Sequence, residues 1–288
     1  MKLIIGGVRG TNPVGQPDYM KYGGETTSFL VEGDAGERVL IDAGTGTRKL
    51  GQHLEQTHKA ADVLLLLTHY HLDHVMGLPS LSLIYKEHWT IEIASPVRQG
   101  LRVDEVMPRI FNKPFWPLQV EELGSHVRFK TLDSETSLAP LRYGKLEIRW
   151  CPLHHPGGST AYRIDEPASG ASLVIATDME WAESSPTEQS NLLKLADHAS
   201  LLAMDGQFTP EDYAAHRGWG HSTWKECCDV ARHAAVEKLL VTHHAPSRND
   251  DALANVEDDL RACCPAAALA REGLEISVAH RGSSAQQQ

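Results

Sequence analysis

No stretch of about 18 consecutive apolar residues occurs in this 288-residue chain, so no transmembrane helix is expected and no membrane partner. The apolar start at residues 1–5 meets Gly6 and Gly7 too soon for a signal-peptide core and reads as a first strand. Cysteine is scarce: there are five, four of them in the adjacent pairs Cys227-Cys228 and Cys263-Cys264. Neither pair has CxxC spacing, and an odd total suits the reducing cytoplasm, where structural or buried thiols are expected. Basic charge is also short. Lys and Arg number 27 against 38 Asp and Glu, a formal net charge of −11, and no run of Lys and Arg stands out. Binding of long nucleic acid relies on such clusters and is not expected. Long linkers, repeats and low-complexity tracts are absent apart from the polar tail 283–288, which is expected to be disordered, leaving one domain over residues 1–282.

What is present begins with short apolar runs that read as strands: 3–5, 28–31, 39–41, 63–67, 90–94, 146–150, 173–176, 201–203, 239–241 and 275–278. Helical patterns lie between them at 46–55, 222–233 and 250–261, with another at 97–107. A strand-rich first stretch followed by alternating units predicts two sheets packed together with helices outside. Residues 111–118 are an aromatic and proline-rich loop in which Pro114 and Pro117 exclude an ordinary helix. That loop is either a packing element or a wall or lid over a site, with Phe115 or Trp116 offering a flat apolar face.

The densest chemistry is the run Thr-His-Tyr-His-Leu-Asp-His at 68–74, which follows the apolar run 63–67 directly. Imidazole nitrogen and carboxylate oxygen suit Zn²⁺, Mn²⁺ or Fe. His69 and His71, two residues apart at a strand end, point to one side. Asp73 and His74 follow after the chain has begun to turn and can face a second point, so the pattern suggests two metals. Further ligands should sit where other strands end. Three places fit: His154-His155 after 146–151, Asp178 after 173–177, and His243-His244 after 239–242.

On these residues the chain resembles the metallo-β-lactamase superfamily of hydrolases over nearly its full length, through its H-x-H-x-D-H motif. Several segments resemble the phosphodiesterase branch that includes tRNase Z and the class II cyclic-nucleotide phosphodiesterases. They are Gly-Val-Arg-Gly-Thr-Asn-Pro at 7–13, Tyr-Gly-Gly-Glu-Thr-Thr-Ser at 22–28 and Leu-Ile-Asp-Ala-Gly at 40–44. Gly-His-Ser-Thr at 220–223 and Val-Thr-His-His-Ala-Pro at 241–246 resemble the His-Ser-Thr loop and last-ligand motif of tRNase Z. The lactamase and glyoxalase branches usually carry a Pro-Gly-His setting, whereas here His155 precedes Pro156-Gly157-Gly158. The segment 95–123 does not read as the glycine- and lysine-rich substrate arm of tRNase Z.

The resemblance implies an αββα sandwich of two mixed sheets flanked by helices, with two divalent ions, zinc foremost and Mn or Fe as alternatives. It implies one ion on His69, His71 and His155, a second on Asp73, His74 and His243, and Asp178 bridging them. His154 and His244 are then supporting or structural neighbours rather than ligands, and Asp42 either buttresses the site through hydrogen bonds or serves a purely structural turn. Asp73 and His221 take the catalytic roles, with Ser222 and Thr223 at the substrate and Ser222 also a candidate cap for the helix 222–233. The expected activity is hydrolysis of a small or cyclic nucleotide-like phosphodiester through a metal-bridging hydroxide. Its rivals are RNA 3′ processing like that of tRNase Z, thioester or lactone hydrolysis on the same metals, and a non-hydrolytic metal sensor. Whether two copies pair as a homodimer is left open.

Overall fold

A computed structural model describes residues 1–132 and 134–279. The expected tail, 283–288, lies outside the described residues. In chain order the strands are β1 (Lys2–Gly7), β2 (Ser28–Glu32), β3 (Arg38–Ile41), β4 (Ala61–Leu66), β5 (Trp89–Pro96), β6 (His126–Leu132) and β7 (Leu141–Tyr143). They continue with β8 (Leu146–Leu153), β9 (Ser159–Glu166), β10 (Ala171–Ala176), β11 (Leu201–Asp205), β12 (Leu239–Thr242), β13 (Ala267–Leu269) and β14 (Glu275–Ser277). The helices are α1 (Thr47–Thr57), α2 (Leu72–Val75), α3 (Val103–Ile110), α4 (Pro186–Ala196), α5 (Pro210–His216), α6 (Trp224–His233) and α7 (Asp250–Cys263).

Two seven-stranded sheets result, ordered β14-β1-β2-β3-β4-β5-β6 and β13-β12-β11-β10-β9-β8-β7. Each is antiparallel in one part and parallel in the other. In the first, β3 through β6 run parallel; in the second, β10 through β13 do. Parallel strands place all their carboxyl ends at one edge, so polar residues just past each strand converge there.

The packing accounts for the layers. Strand alternation sends Phe29, Ile41, Leu64 and Leu66 of the first sheet into one buried cluster with Ile148, Tyr162, Leu173 and Ile175 of the second. The outer face of the first sheet, with Leu40, Leu65 and Ile91, is covered by Leu50 and Leu54 of α1 and Val106 and Met107 of α3. Val174, Leu202 and Val241 on the second sheet's outer face are covered by Leu192 of α4, Val230 of α6 and Leu260 of α7. The order helix, sheet, sheet, helix is the αββα sandwich the resemblance implied.

Local chemistry corrects some boundaries. The helix expected over 97–107 starts only at Val103. Before it, Arg98 and Leu101 exchange backbone hydrogen bonds across Gln99 and Gly100, both at positive φ (51° and 74°). Two successive positive φ values make a tight hairpin turn and cannot start a helix. The helix expected from Ser222 begins at Trp224, and its cap is Thr223, whose hydroxyl accepts from the Glu226 N–H.

One contact ties the two sheets at the site edge. Tyr162 on β9 is buried between them, and its Oη donates to the Leu67 carbonyl at 2.8 Å, two residues before His69. Tyr162→Phe keeps the ring but leaves that carbonyl unpaired, so we expect a loss of about 1–3 kcal/mol. Urea unfolding should show this as a lower midpoint at unchanged slope; an unchanged midpoint would contradict the clamp.

Candidate metal centre

The convergence of strand ends is visible residue by residue. Asp42 follows β3, His69 stands three residues past β4, and His155 two past β8. Asp178 stands two residues past β10, Asp205 ends β11 and His243 follows β12. Three of them, Asp42, Asp178 and His243, have φ near +60°. Seven described non-glycine residues have positive φ, and these three are joined near the site by Thr11, which donates to Asp73, and Gln99. Left-handed backbone costs a residue with a Cβ on the order of 1–3 kcal/mol, so strain is concentrated where the side chains must be aimed.

The side chains form two groups. His69, His71 and His155 bring ligand atoms within 4.8 Å of one another, as do Asp73, His74, Asp178 and His243. Asp178 touches both. Its Oδ1 lies 3.9 Å from His69 Nε2 and from His155 Nε2 and 3.2 Å from His243 Nε2, and its Oδ2 lies 3.0 Å from His74 Nε2. Asp73 Oδ2 is 3.3 Å from His74 Nε2 and 3.4 Å from His243 Nε2. The structure thus brings together all seven residues that the sequence pointed to.

Their unmet bonding fits them to cations. Among the described residues, His69 Nε2, His74 Nε2, His243 Nε2 and Asp178 Oδ2 are buried with no well-aligned hydrogen-bond partner, and all belong to this cluster. Such orphaned groups are costly unless something else satisfies them. Charge tells the same story. Burial drives the His69 and His71 imidazoles below their ordinary pKa and His155 down to about 4, which keeps nitrogen lone pairs available. Burial also opposes charge on His74 and His243, but Asp178 and Asp73 outweigh it, raising His74 well above its usual value and His243 to about 9. The carboxylates demand positive charge, and protonated imidazoles supply it where divalent ions would. Asp178 and Asp73 themselves resist burial's upward push because these imidazoles hold them ionised.

Supporting contacts orient the rings. His74 Nδ1 donates to Asp42 Oδ2 at 2.7 Å, while Asp42 Oδ1 accepts from the Thr68 N–H at 2.8 Å, so His74 Nε2 faces the cluster. His155 Nδ1 is held by the Gly220 carbonyl at 2.8 Å and His243 Nδ1 by Gln207 Oε1 at 3.0 Å. Gly10 lies so close to His243, and Gly220 to His155, that a Cβ on either would collide with the imidazole. His154 turns away and stays half-exposed near Glu188, 3.8 Å distant. His244 is buried against the Ala270 carbonyl, and that burial lowers its pKa to about 3.

His221 sits beside both groups. Its ring stacks on His243 at 4.9 Å and meets His155 edge-on at 5.3 Å, and Asp205 Oδ2 holds its Nδ1 at 2.7 Å. By distance it could itself join His155 and Asp178, or Asp205 and His243, around an ion. Asp205 was missed from the sequence although it carries the same signal as Asp178, a carboxylate closing an apolar strand. Ser222 and Thr223, expected at the substrate, are committed elsewhere. Ser222 is fully buried and its Oγ donates to the Met179 carbonyl at 2.6 Å, while Thr223 caps α6.

A cavity opens at the first group, and a second adjoins it. One of about 250 Å³ is lined by His69 and His71 with Arg98, Gln99, Arg109 and the 156–158 turn. A more apolar one of about 540 Å³ lies beyond Tyr70, Val106 and Arg109, which line both, and is walled by Phe115 and Trp116 of the 111–118 loop.

Strand-end histidines and aspartates on paired mixed sheets define a metallo-β-lactamase hydrolase. A family model described as a beta-lactamase superfamily domain matches residues 37–244, and the chain belongs to that superfamily. The ribonuclease Z of Bradyrhizobium sp. (strain ORS 278) is 25% identical over 284 residues, spanning 84% of this chain and 91% of its own length. The crystal structure of the short form of human tRNase Z superposes with a TM-score of 0.68 at 19% identity, over 96% of this chain and 99% of that one. A diphosphatase of the PhnP family does so with a TM-score of 0.67 at 17% identity, over 97% and 99%. Those two likenesses concern the fold. The superfamily implies divalent metal ions, and the clustered His and Asp residues fit them.

Asp42→Asn tests the orientation of His74. The amide would present N–H to His74 Nδ1, forcing the tautomer whose proton sits on Nε2 and blocks a metal. Affinity for one of two ions should fall about 10–100-fold, with the fold retained. Competition titration against a chelator measures it, and unchanged affinity for both ions would rule the buttress out.

Proposed function

We propose that this protein is a dinuclear-metal-dependent phosphodiesterase acting on a small or cyclic nucleotide-like substrate. The observation that carries this is the Asp205–His221 pair beside the metal centre, at 2.7 Å, with Arg98 and Arg109 lining the adjoining cavity. His69, His71 and His155 would hold one ion, Asp73, His74 and His243 the other, with Asp178 shared. Zinc suits this nitrogen-rich set, with manganese and iron as alternatives. When bound, two such ions lower the pKa of water from about 15.7 toward about 7 and neutralise a phosphoryl oxygen.

The protein's own groups supply the rest. Asp73, held ionised, accepts a hydrogen bond from the attacking water and aligns it. Asp205 fixes His221 with Nδ1–H toward itself, so that Nε2 can give a proton to the departing oxygen. Arg98 is buried, ion-paired with Glu135 and held by the Ser159 carbonyl at 3.2 Å, which fixes a guanidinium in the wall of the cavity that an anionic substrate would enter. Cavities of about 250 and 540 Å³ are of small-ligand size. The net charge of −11 further supports a small substrate over a long nucleic acid.

RNA 3′ processing is the second reading, favoured by the ribonuclease Z relative that spans 84% of the chain. Cyclic nucleotides and bis(p-nitrophenyl) phosphate assayed beside a precursor tRNA separate the two. Preference for the RNA, with steep salt dependence from counterion release, would favour the nuclease.

His221→Ala tests the chemistry. It should retain both metals and lower kcat by about 10²–10⁴ on a ribose leaving group. The deficit should shrink with p-nitrophenolate, which needs little protonation. Equal losses on both would make His221 a phosphate binder, and loss of metal would make it a ligand.

A further inference from the structure

We propose that the apolar cavity beside the metal centre is a specificity pocket for a flat aromatic or heteroaromatic substituent of the substrate. The proposal rests on the phosphodiesterase reading for the group that anchors the ligand, and it adds what lies beyond the phosphate. Continuity argues first. Tyr70, between His69 and His71 in sequence, lines both the 250 Å³ metal-side cavity and the 540 Å³ apolar one, and so do Val106 and Arg109. The two cavities are therefore neighbours, and a ligand with a phosphoryl group at the metals would extend past Arg109 to enter the apolar space. That guanidinium is exposed and has no hydrogen-bond or ion-pair partner among the described residues, so it is free to meet an anionic oxygen at the junction.

Exposure argues second. Leu72 is 71% exposed and Phe115 83% exposed, both on this cavity, a cost in water that a seated apolar group would offset. The rings of the wall then choose between an aromatic ring and an alkyl chain. Phe115 and Trp116 both line this cavity, and the Phe115 ring is open to solvent. A flat aromatic or heteroaromatic ring can stack on such a ring face with its whole area, which a flexible alkyl chain cannot do.

The test is equilibrium binding, independent of turnover. Zinc-loaded protein is titrated calorimetrically with methylphosphonate, hexylphosphonate and 1-naphthylphosphonate. The naphthyl compound should bind at least about tenfold more tightly than the methyl one, the scale of aromatic stacking on a base-sized ring, and more tightly than the hexyl one. Phe115→Ser and Trp116→Ala should each shrink the methyl-to-naphthyl Kd ratio several-fold. Phe115 is on the surface, so its replacement does not threaten the fold, and metal content and circular dichroism check both variants. No preference for the naphthyl compound, hexyl binding as tight as naphthyl, or a ratio that neither variant moves overturns the pocket. Absence of hydrolysis of any phosphodiester, with the naphthyl preference intact, would instead overturn the phosphodiesterase reading and leave the pocket standing.

Discussion

Asp178 carries a carboxylate into the interior, and the architecture around it answers that charge. Among the described residues its Oδ2 has no well-aligned hydrogen-bond partner, and imidazoles from three separate segments crowd within 4 Å of its oxygens. A buried charge is tolerable only when paired and neutralised. Pairing it requires His69 and His74 from the β4 end, His155 from the β8 end and His243 from the β12 end, hence both sheets in one register. The sandwich and the metal centre are therefore one construction: the core that joins the sheets sets the spacing, and Tyr162 reaching Leu67 pins it beside the first ligand.

The same arrangement explains where stability is given up. The chain turns sharply where these strands end. Asp42, Asp178 and His243 adopt the left-handed region that side chains usually avoid. Unsatisfied imidazole nitrogens cluster on the same edge. Both features are costly in the protein alone, and seated cations would satisfy the nitrogens and so offset that cost, so folding and metal binding should be thermodynamically linked. The surrounding hydrogen bonds, Asp42 to His74, Gly220 to His155 and Gln207 to His243, fix which nitrogen is offered.

Much of this was legible because the signal is local. An apolar run followed at once by His or Asp marks a strand entering the site edge, and 63–74, Asp178 and His243 all show it. Asp205 shows it too and was passed over, because its partner His221 lies 16 residues away. Ser222 was misread because Ser and Thr are both good caps, and only tertiary contact with Met179 decides between Ser222 and Thr223. The strand β6 alternates half-buried with exposed residues, too weak a pattern to register. The second cavity has no sequence signal of its own, since α2, α3 and the 111–118 loop come together only through packing.

Anomalous X-ray diffraction from crystals of the zinc-loaded protein, collected on either side of the zinc edge, measures the central claim most directly. The account predicts two peaks, one among His69, His71 and His155, the other among Asp73, His74 and His243, with Asp178 between them. A single peak, or a peak held by His221 and Asp205 with either triad left empty, would contradict it.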